Sequence, residues 1–188
     1  MKKGLLYQAI GSFALAFALL PVAAKGQLLS NAVNVTLNAN LAETLSVSST
    51  GVSTVSFTLV PGGNATGTGQ VGVQTSWVLK PGKTTVNLVG YFDTTSALTD
   101  TVTPTNHIPS ANVLGQVNGA GGFTAFTQSV SGIGTAGASL QLFIETITGT
   151  NKKKTRTDTL DLEIDLTSLP QQPAGDYTGT LRIQAIAL

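Results

Sequence analysis

Leu160-Asp161-Leu162-Glu163-Ile164-Asp165-Leu166 alternates apolar and acidic residues without a break. Successive side chains of a β-strand point to opposite faces, so Leu160, Leu162, Ile164 and Leu166 fall on one face and Asp161, Glu163 and Asp165 on the other. Such a strand turns its apolar side to a core and its charged side to water.

The same two-residue rhythm continues away from this run. Val71-Gly72-Val73-Gln74-Thr75-Ser76-Trp77-Val78-Leu79 reads as a strand with Trp77 on the core side, and Thr85-Val86-Asn87-Leu88-Val89-Gly90-Tyr91-Phe92 as its return. Pro81-Gly82 between them is a turn signal: proline presets φ and glycine accepts positive φ. Leu45-Ser46-Val47, Val55-Ser56-Phe57-Thr58-Leu59 and Leu140–Ile147 follow the pattern, and Tyr177–Leu188 reads as the last strand. Residues 93–139 are dominated by Thr, Ser, Gly and Pro, with short strands expected at Val113–Val117 and Phe123–Phe126. Gly149–Arg156 reads as a basic hairpin tip. No stretch of ten or more residues after the N-terminus has helical spacing. The fold class expected is all-β, an immunoglobulin-like antiparallel β-sandwich of about eight or nine strands.

The N-terminus has another character. Lys2 and Lys3 precede the apolar run Ala9–Leu20, and Pro21-Val22-Ala23-Ala24 closes it with small residues. This is the pattern of a secretory signal peptide over residues 1–26, with cleavage after Ala24 or Gly26. It leaves residues 27–188 as a single domain, within the ~100–200 residue range for one domain. The expected location is outside the cytoplasm: periplasm, cell surface or extracellular space, in a bacterial setting. No later run approaches the ~18 apolar residues of a membrane helix, so no transmembrane span is expected in the mature chain.

The whole chain has ten basic and nine acidic residues; without Lys2 and Lys3 its balance is −1. That is no footprint for nucleic acid. There is no cysteine, which excludes disulfides, a thiol nucleophile and Cys-ligated zinc. Charged residues make up 10% of the chain against the ~25% usual for soluble domains, so Thr, Ser, Asn, Gln and Gly do the solvating. Such a weakly repulsive surface tolerates packing beside copies of itself.

No cofactor, metal or catalytic residue is expected. His107, the single histidine, lies in a loop-like stretch, and no Gly-x-Ser-x-Gly elbow follows the leader. Asp161 and Glu163 stand at ~6.5–7 Å, a separation seen in inverting glycosidases, but any acidic alternating strand has it. They read as the outward face of a strand, paired with Lys152, Lys153, Lys154 and Arg156 across strands. Asn34-Val35-Thr36 and Asn64-Ala65-Thr66 match the N-glycosylation pattern, which has little bearing on a bacterial chain. Tyr91, Phe92, Phe123 and Phe126 are the aromatics best placed for exposure, and Tyr91, Phe123 and Phe126 are candidate ligand contacts. Tyr177, at a strand start after a turn, reads as a corner tyrosine bonded to backbone.

The C-terminal stretch Pro173-Ala174-Gly175-Asp176-Tyr177-Thr178-Gly179-Thr180-Leu181-Arg182-Ile183 resembles the ending of fimbrial-type and spore-coat-U-type secreted subunits, on Pro173, Ala174, Gly175, Tyr177, Leu181 and Ile183. The resemblance covers about a tenth of the chain. It implies an immunoglobulin-like sandwich, exported, and often completed by a strand from a neighbouring subunit. Val33-Asn34-Val35-Thr36-Leu37-Asn38-Ala39-Asn40-Leu41 has the alternation such a strand needs, with Val33, Val35, Leu37, Ala39 and Leu41 on one face. It reads either as the domain's own first strand or as a donated one. The expectation is a non-catalytic surface subunit that contacts copies of itself or other subunits through strand edges. The alternative is a module binding glycans, such as surface polysaccharide, through the exposed aromatics.

Overall fold

The computed structural model describes residues 30–130 and 132–188. The apolar leader and both cleavage positions lie outside the described residues. By contacts the chain divides into Met1–Ala39 and Asn40–Leu188. In the first unit, residues 30–39 carry no regular secondary structure and every one of them is exposed.

Asn40–Leu188 is all-β, and every strand pairing among the described residues is antiparallel. Its strands are β1 (Thr44–Ser49), β2 (Asn64–Thr66), β3 (Val71–Val78), β4 (Thr85–Tyr91), β5 (Ser96–Asp100), β6 (His107–Pro109), β7 (Val113–Val117), β8 (Thr124–Ala125), β9 (Ser139–Thr146), β10 (Lys153–Asp165), β11 (Tyr177–Thr178) and β12 (Arg182–Ala187). Several are only two or three residues long, which is why the count exceeds the eight or nine expected. One sheet runs β1-β3-β10-β7-β8 with β2 beside β10, a second β12-β4-β9, and a small third β11-β5-β6.

The two larger sheets share one core, which gives the domain its sandwich-like character. β3 contributes Val73 and Trp77, β4 Val86 and Leu88, β9 Leu140 and Phe143, and β10 Leu160, Leu162 and Ile164. Trp77 is 1% exposed and donates its indole N–H to the Asn151 carbonyl at 2.9 Å. A buried indole needs such a partner. The alternation at Leu160–Leu166 is realised: the four aliphatic residues are buried, while Asp161 and Glu163 face outward to Gln70 and Asn64. Asn118 and Gly119 carry the turn after β7 at φ 54° and 62°, closed by Ala120 N–H to Val117 O at 3.0 Å. Asparagine and glycine are the residues that tolerate consecutive left-handed positions there.

Several expectations change. Gly149–Arg156 is not a hairpin tip: Lys153–Arg156 opens β10, and residues 147–152 connect β9 to β10 across two different sheets. Lys154 and Arg156 pair with Glu145 and Asp158 rather than with Asp161, Glu163 or Asp165. Along β10 the even-numbered positions share the core-facing side, with Arg156 half-buried and Lys154 exposed at its end, and there these two basic residues reach acidic groups. Tyr177–Leu188 is two strands joining different sheets, β11 beside β5 and β12 beside β4. β5 and β6 form where composition is Thr- and Ser-rich, because the ladder between them supplies what sequence rhythm does not. Val33–Leu41 and Val55–Leu59 form no ladder, although both alternate.

Candidate functional site

The domain holds an open apolar groove of about 1260 Å³. One wall is the extended stretch Val52–Leu59, which turns Val55, Phe57 and Leu59 inward and leaves them half-buried. The facing wall is formed by Gln172–Leu181 and Ile183, with Tyr177, Leu181 and Ile183 half-buried. Val113, Leu162, Ile164 and Leu166 make the floor. The cleft thus opens directly on the side chains of the core, at the edge where β1 and β12 approach each other without a ladder between them.

Backbone pairing explains why Ser53–Leu59 and Gly179–Leu181, unlike β11 and β12 beside them, are not strands. Among the described residues, Ser53–Leu59 makes one backbone–backbone hydrogen bond, Thr68 N–H to Ser56 O at 2.8 Å, and Gly179–Leu181 makes none. Apart from Ser56, whose N–H is taken by the Thr68 hydroxyl at 3.2 Å, these two stretches have N–H and C=O groups without a backbone partner beside apolar side chains. That combination is what an added β-strand satisfies: main-chain bonds along its edges, and alternate side chains into the cleft. Asp176 is the one charged residue in the lining, so the site recognises shape and apolarity rather than charge.

Pre-organisation of the second wall starts at its turn. The Tyr177 hydroxyl donates to the Pro173 carbonyl at 2.8 Å, four residues upstream, as the corner-tyrosine reading expects. Asp100, 5% exposed, accepts the N–H groups of Val102 and Thr103 and sits against Gly175, where a Cβ would collide with its carboxylate. Glycine at 175 is thus a matter of close approach.

The sequence candidates are dispersed. Val33, Val35, Leu37 and Leu41 are 85%, 73%, 88% and 78% exposed, and Ala39 is exposed with them. Of the aromatic candidates, Phe126 is fully buried and meets Phe92 edge-on with ring centroids 5.2 Å apart; Phe92 is itself only 5% exposed. Both are expected at the surface from sequence, but both lie in the core, where Gly90 on β4 and Gly115 on β7 make room for the Phe126 ring. Phe123 is half-buried, and Tyr91, also half-buried, donates its hydroxyl to Gln184 at 3.2 Å. His107 is exposed on β6 with Nδ1 3.1 Å from the Thr105 carbonyl oxygen. Asp165 accepts from the Thr167 hydroxyl and backbone N–H, which hold its carboxyl below the usual range. The acidic row is consumed by such neighbours and gathers no ligand set among the described residues.

The groove itself was not visible as a site in the sequence. Val55-Ser56-Phe57-Thr58-Leu59 gives one wall and the Pro173–Ile183 stretch the other, but nothing in either says that no strand lies between them.

No family model matches the chain, and no curated protein matches it.

Proposed function

We propose that this protein is an exported, non-catalytic structural subunit of fimbrial kind, an immunoglobulin-like sandwich whose groove receives the Val33–Leu41 segment of a second copy. The groove carries this reading: two walls that include stretches without backbone partners enclose apolar side chains. Its volume of about 1260 Å³ exceeds the ~300–1,000 Å³ of ordinary small-molecule pockets. The same chain carries a segment of the right chemistry. Val33–Leu41 alternates apolar and polar, contains no charge, and leaves four large aliphatic side chains in water. Burying each would contribute about 1.5–3 kcal/mol before the cost of ordering the segment. The match of the C-terminal stretch to fimbrial-type subunits supports the same reading, as does the corner bond of Tyr177.

Segment and groove are different surfaces, so donation is head-to-tail, and its product at the cell surface or beyond is a filament of copies wherever the rotation between them does not close a ring. The alternative, a glycan-binding face on Tyr91, Phe123 and Phe126, loses Phe126 to the core.

Sedimentation velocity on the mature chain tests the assembly. Oligomers growing with concentration are expected, and the double variant Val35→Asp, Leu37→Asp is expected to be a folded monomer. A wild-type chain that stays monomeric up to high concentration, or a variant that still assembles, would overturn the reading.

A further inference from the structure

At its ionic end, β10 faces a cluster that neither the groove nor the proposed assembly uses. Glu145 on β9 belongs to one sheet and Lys154 and Arg156 on β10 to the other. The Lys154 ammonium donates to Glu145 Oε1 at 2.6 Å, and the Asn151 side-chain amide donates to the same oxygen at 3.0 Å. Glu145 Oε2 is buried with no hydrogen-bond partner, and the Arg156 guanidinium stands 3.9 Å from it. Arg156 lies over the Phe143 ring at 4.3 Å and bonds Asp158, which also accepts from Asn118.

Asn151 makes this arrangement more than a surface ion pair. It holds the connection between the two sheets: its side-chain oxygen accepts the Thr148 N–H at 2.7 Å, and its backbone carbonyl takes the Trp77 indole N–H. In the same connection, Lys152 O accepts the Leu79 N–H at 2.9 Å. We infer that Glu145 is an acid-sensitive latch whose carboxylate holds the 147–152 connection over Trp77, and that its protonation loosens this corner while the rest of the domain stays folded.

Chemistry fixes the direction. A neutral carboxyl keeps little attraction for Lys154, and it leaves Lys154 and Arg156, two cations on one strand face, less compensated. The charged groups facing Glu145 are Lys154 and Arg156 from β10, with Asp158 behind Arg156; β3 presents Thr75 and Trp77 there, and β4 presents Val86, none of them charged. Burial alone would raise the Glu145 carboxyl, but Lys154 and Asn151, with Arg156 behind, hold it below the usual range. The latch is therefore closed above the ordinary carboxylate range and opens as pH falls through the depressed value.

Trp77 is the single tryptophan of the chain, so its fluorescence reads this corner alone. On acidification the emission is expected to shift to the red at a pH where far-UV circular dichroism is unchanged, with amide protection factors at Leu79 and Thr148, each taken against the intrinsic rate at the same pH, at least tenfold lower than at neutral pH. Glu145→Gln is expected to show the lowered protection already at neutral pH and no acid transition in emission. Should that variant fold poorly, Lys154→Gln removes the counter-charge from an exposed position, and its transition is expected at higher pH than in the wild type. Coincident fluorescence and circular dichroism transitions in the wild type, or an unmoved Lys154→Gln midpoint, would overturn the inference.

Discussion

The inward face of β10 is built in two ways. Over Leu160, Leu162, Ile164 and Leu166 it is aliphatic, and its last three residues floor an open groove. Over Lys154, Arg156 and Asp158 it is ionic, and every charge has a partner from a neighbouring element or from β10 itself. The aliphatic half gains stability by excluding water, yet it is left partly uncovered. The ionic half is poor in apolar contact but closed by directional bonds. Under the proposals above, one end of the domain is open to an additional strand without choosing among charges, while the other is held by ionic contacts that respond to protons.

Substitutions in the two halves separate these mechanisms. The largest effect is expected from Ile164→Ala, which opens a cavity at a fully buried site: about 2–5 kcal/mol of stability lost in urea unfolding. In the ionic half, Asp158→Ala leaves Arg156 without its bidentate partner and Asn118 without its acceptor. Since Arg156 is partly solvated, a loss of about 2 kcal/mol is expected by the same measurement. If Asp158→Ala cost as much as Ile164→Ala, the contrast between the halves would fail.

Acid sharpens the contrast further. Glu145, Asp158 and Asp165 all have carboxyls held below their ordinary range in the folded protein. For Asp158, burial opposes the shift, and the Arg156 and Asn118 hydrogen bonds outweigh it. Depressed carboxylates stabilise the fold above the unfolded-state pKa, and that contribution disappears as pH falls through the folded-state value. Urea midpoints are therefore expected to be flat from neutral pH down to the carboxylate range and to drop below it, with a shallower drop in Glu145→Gln. The smallest effect belongs to the outward face of the same strand: Asp161→Asn loses an exposed contact with Gln70 and is expected to change stability by no more than about 0.5 kcal/mol.

What the sequence could reveal follows the same division. Where apolar and polar residues alternate, as at Val71–Leu79 and Leu160–Leu166, strand and buried face are both legible, Trp77 included; at Thr85–Tyr91 the strand is legible but not that Val86–Gly90 are buried on both faces. The ionic half of β10 was not, because polar residues at inward positions look like a solvated turn until Glu145 arrives from another sheet. Val55–Leu59 fails for the opposite reason. Its rhythm is that of a strand, but a ladder needs a neighbour, and rhythm does not report whether one is present. The groove is an absence between two segments more than a hundred residues apart, and no local pattern encodes an absence. The burial of Phe126 is not legible because its sequence neighbours Gly119, Gly121 and Gly122 suggest a surface loop, whereas the room for its ring comes from Gly90 and Gly115 on distant strands, where a Cβ would sit 3.2 and 3.3 Å from the ring.

Strand donation between copies can be trapped directly, since the chain has no native cysteine. Mature Leu37→Cys and Leu181→Cys proteins, prepared separately and mixed under mild oxidation, are predicted to give a mixed disulfide dimer in high yield, suppressed by Val35→Asp in the Leu37→Cys partner. A mixed dimer no more abundant than the dimers each variant forms with itself, or one indifferent to Val35→Asp, would contradict the account.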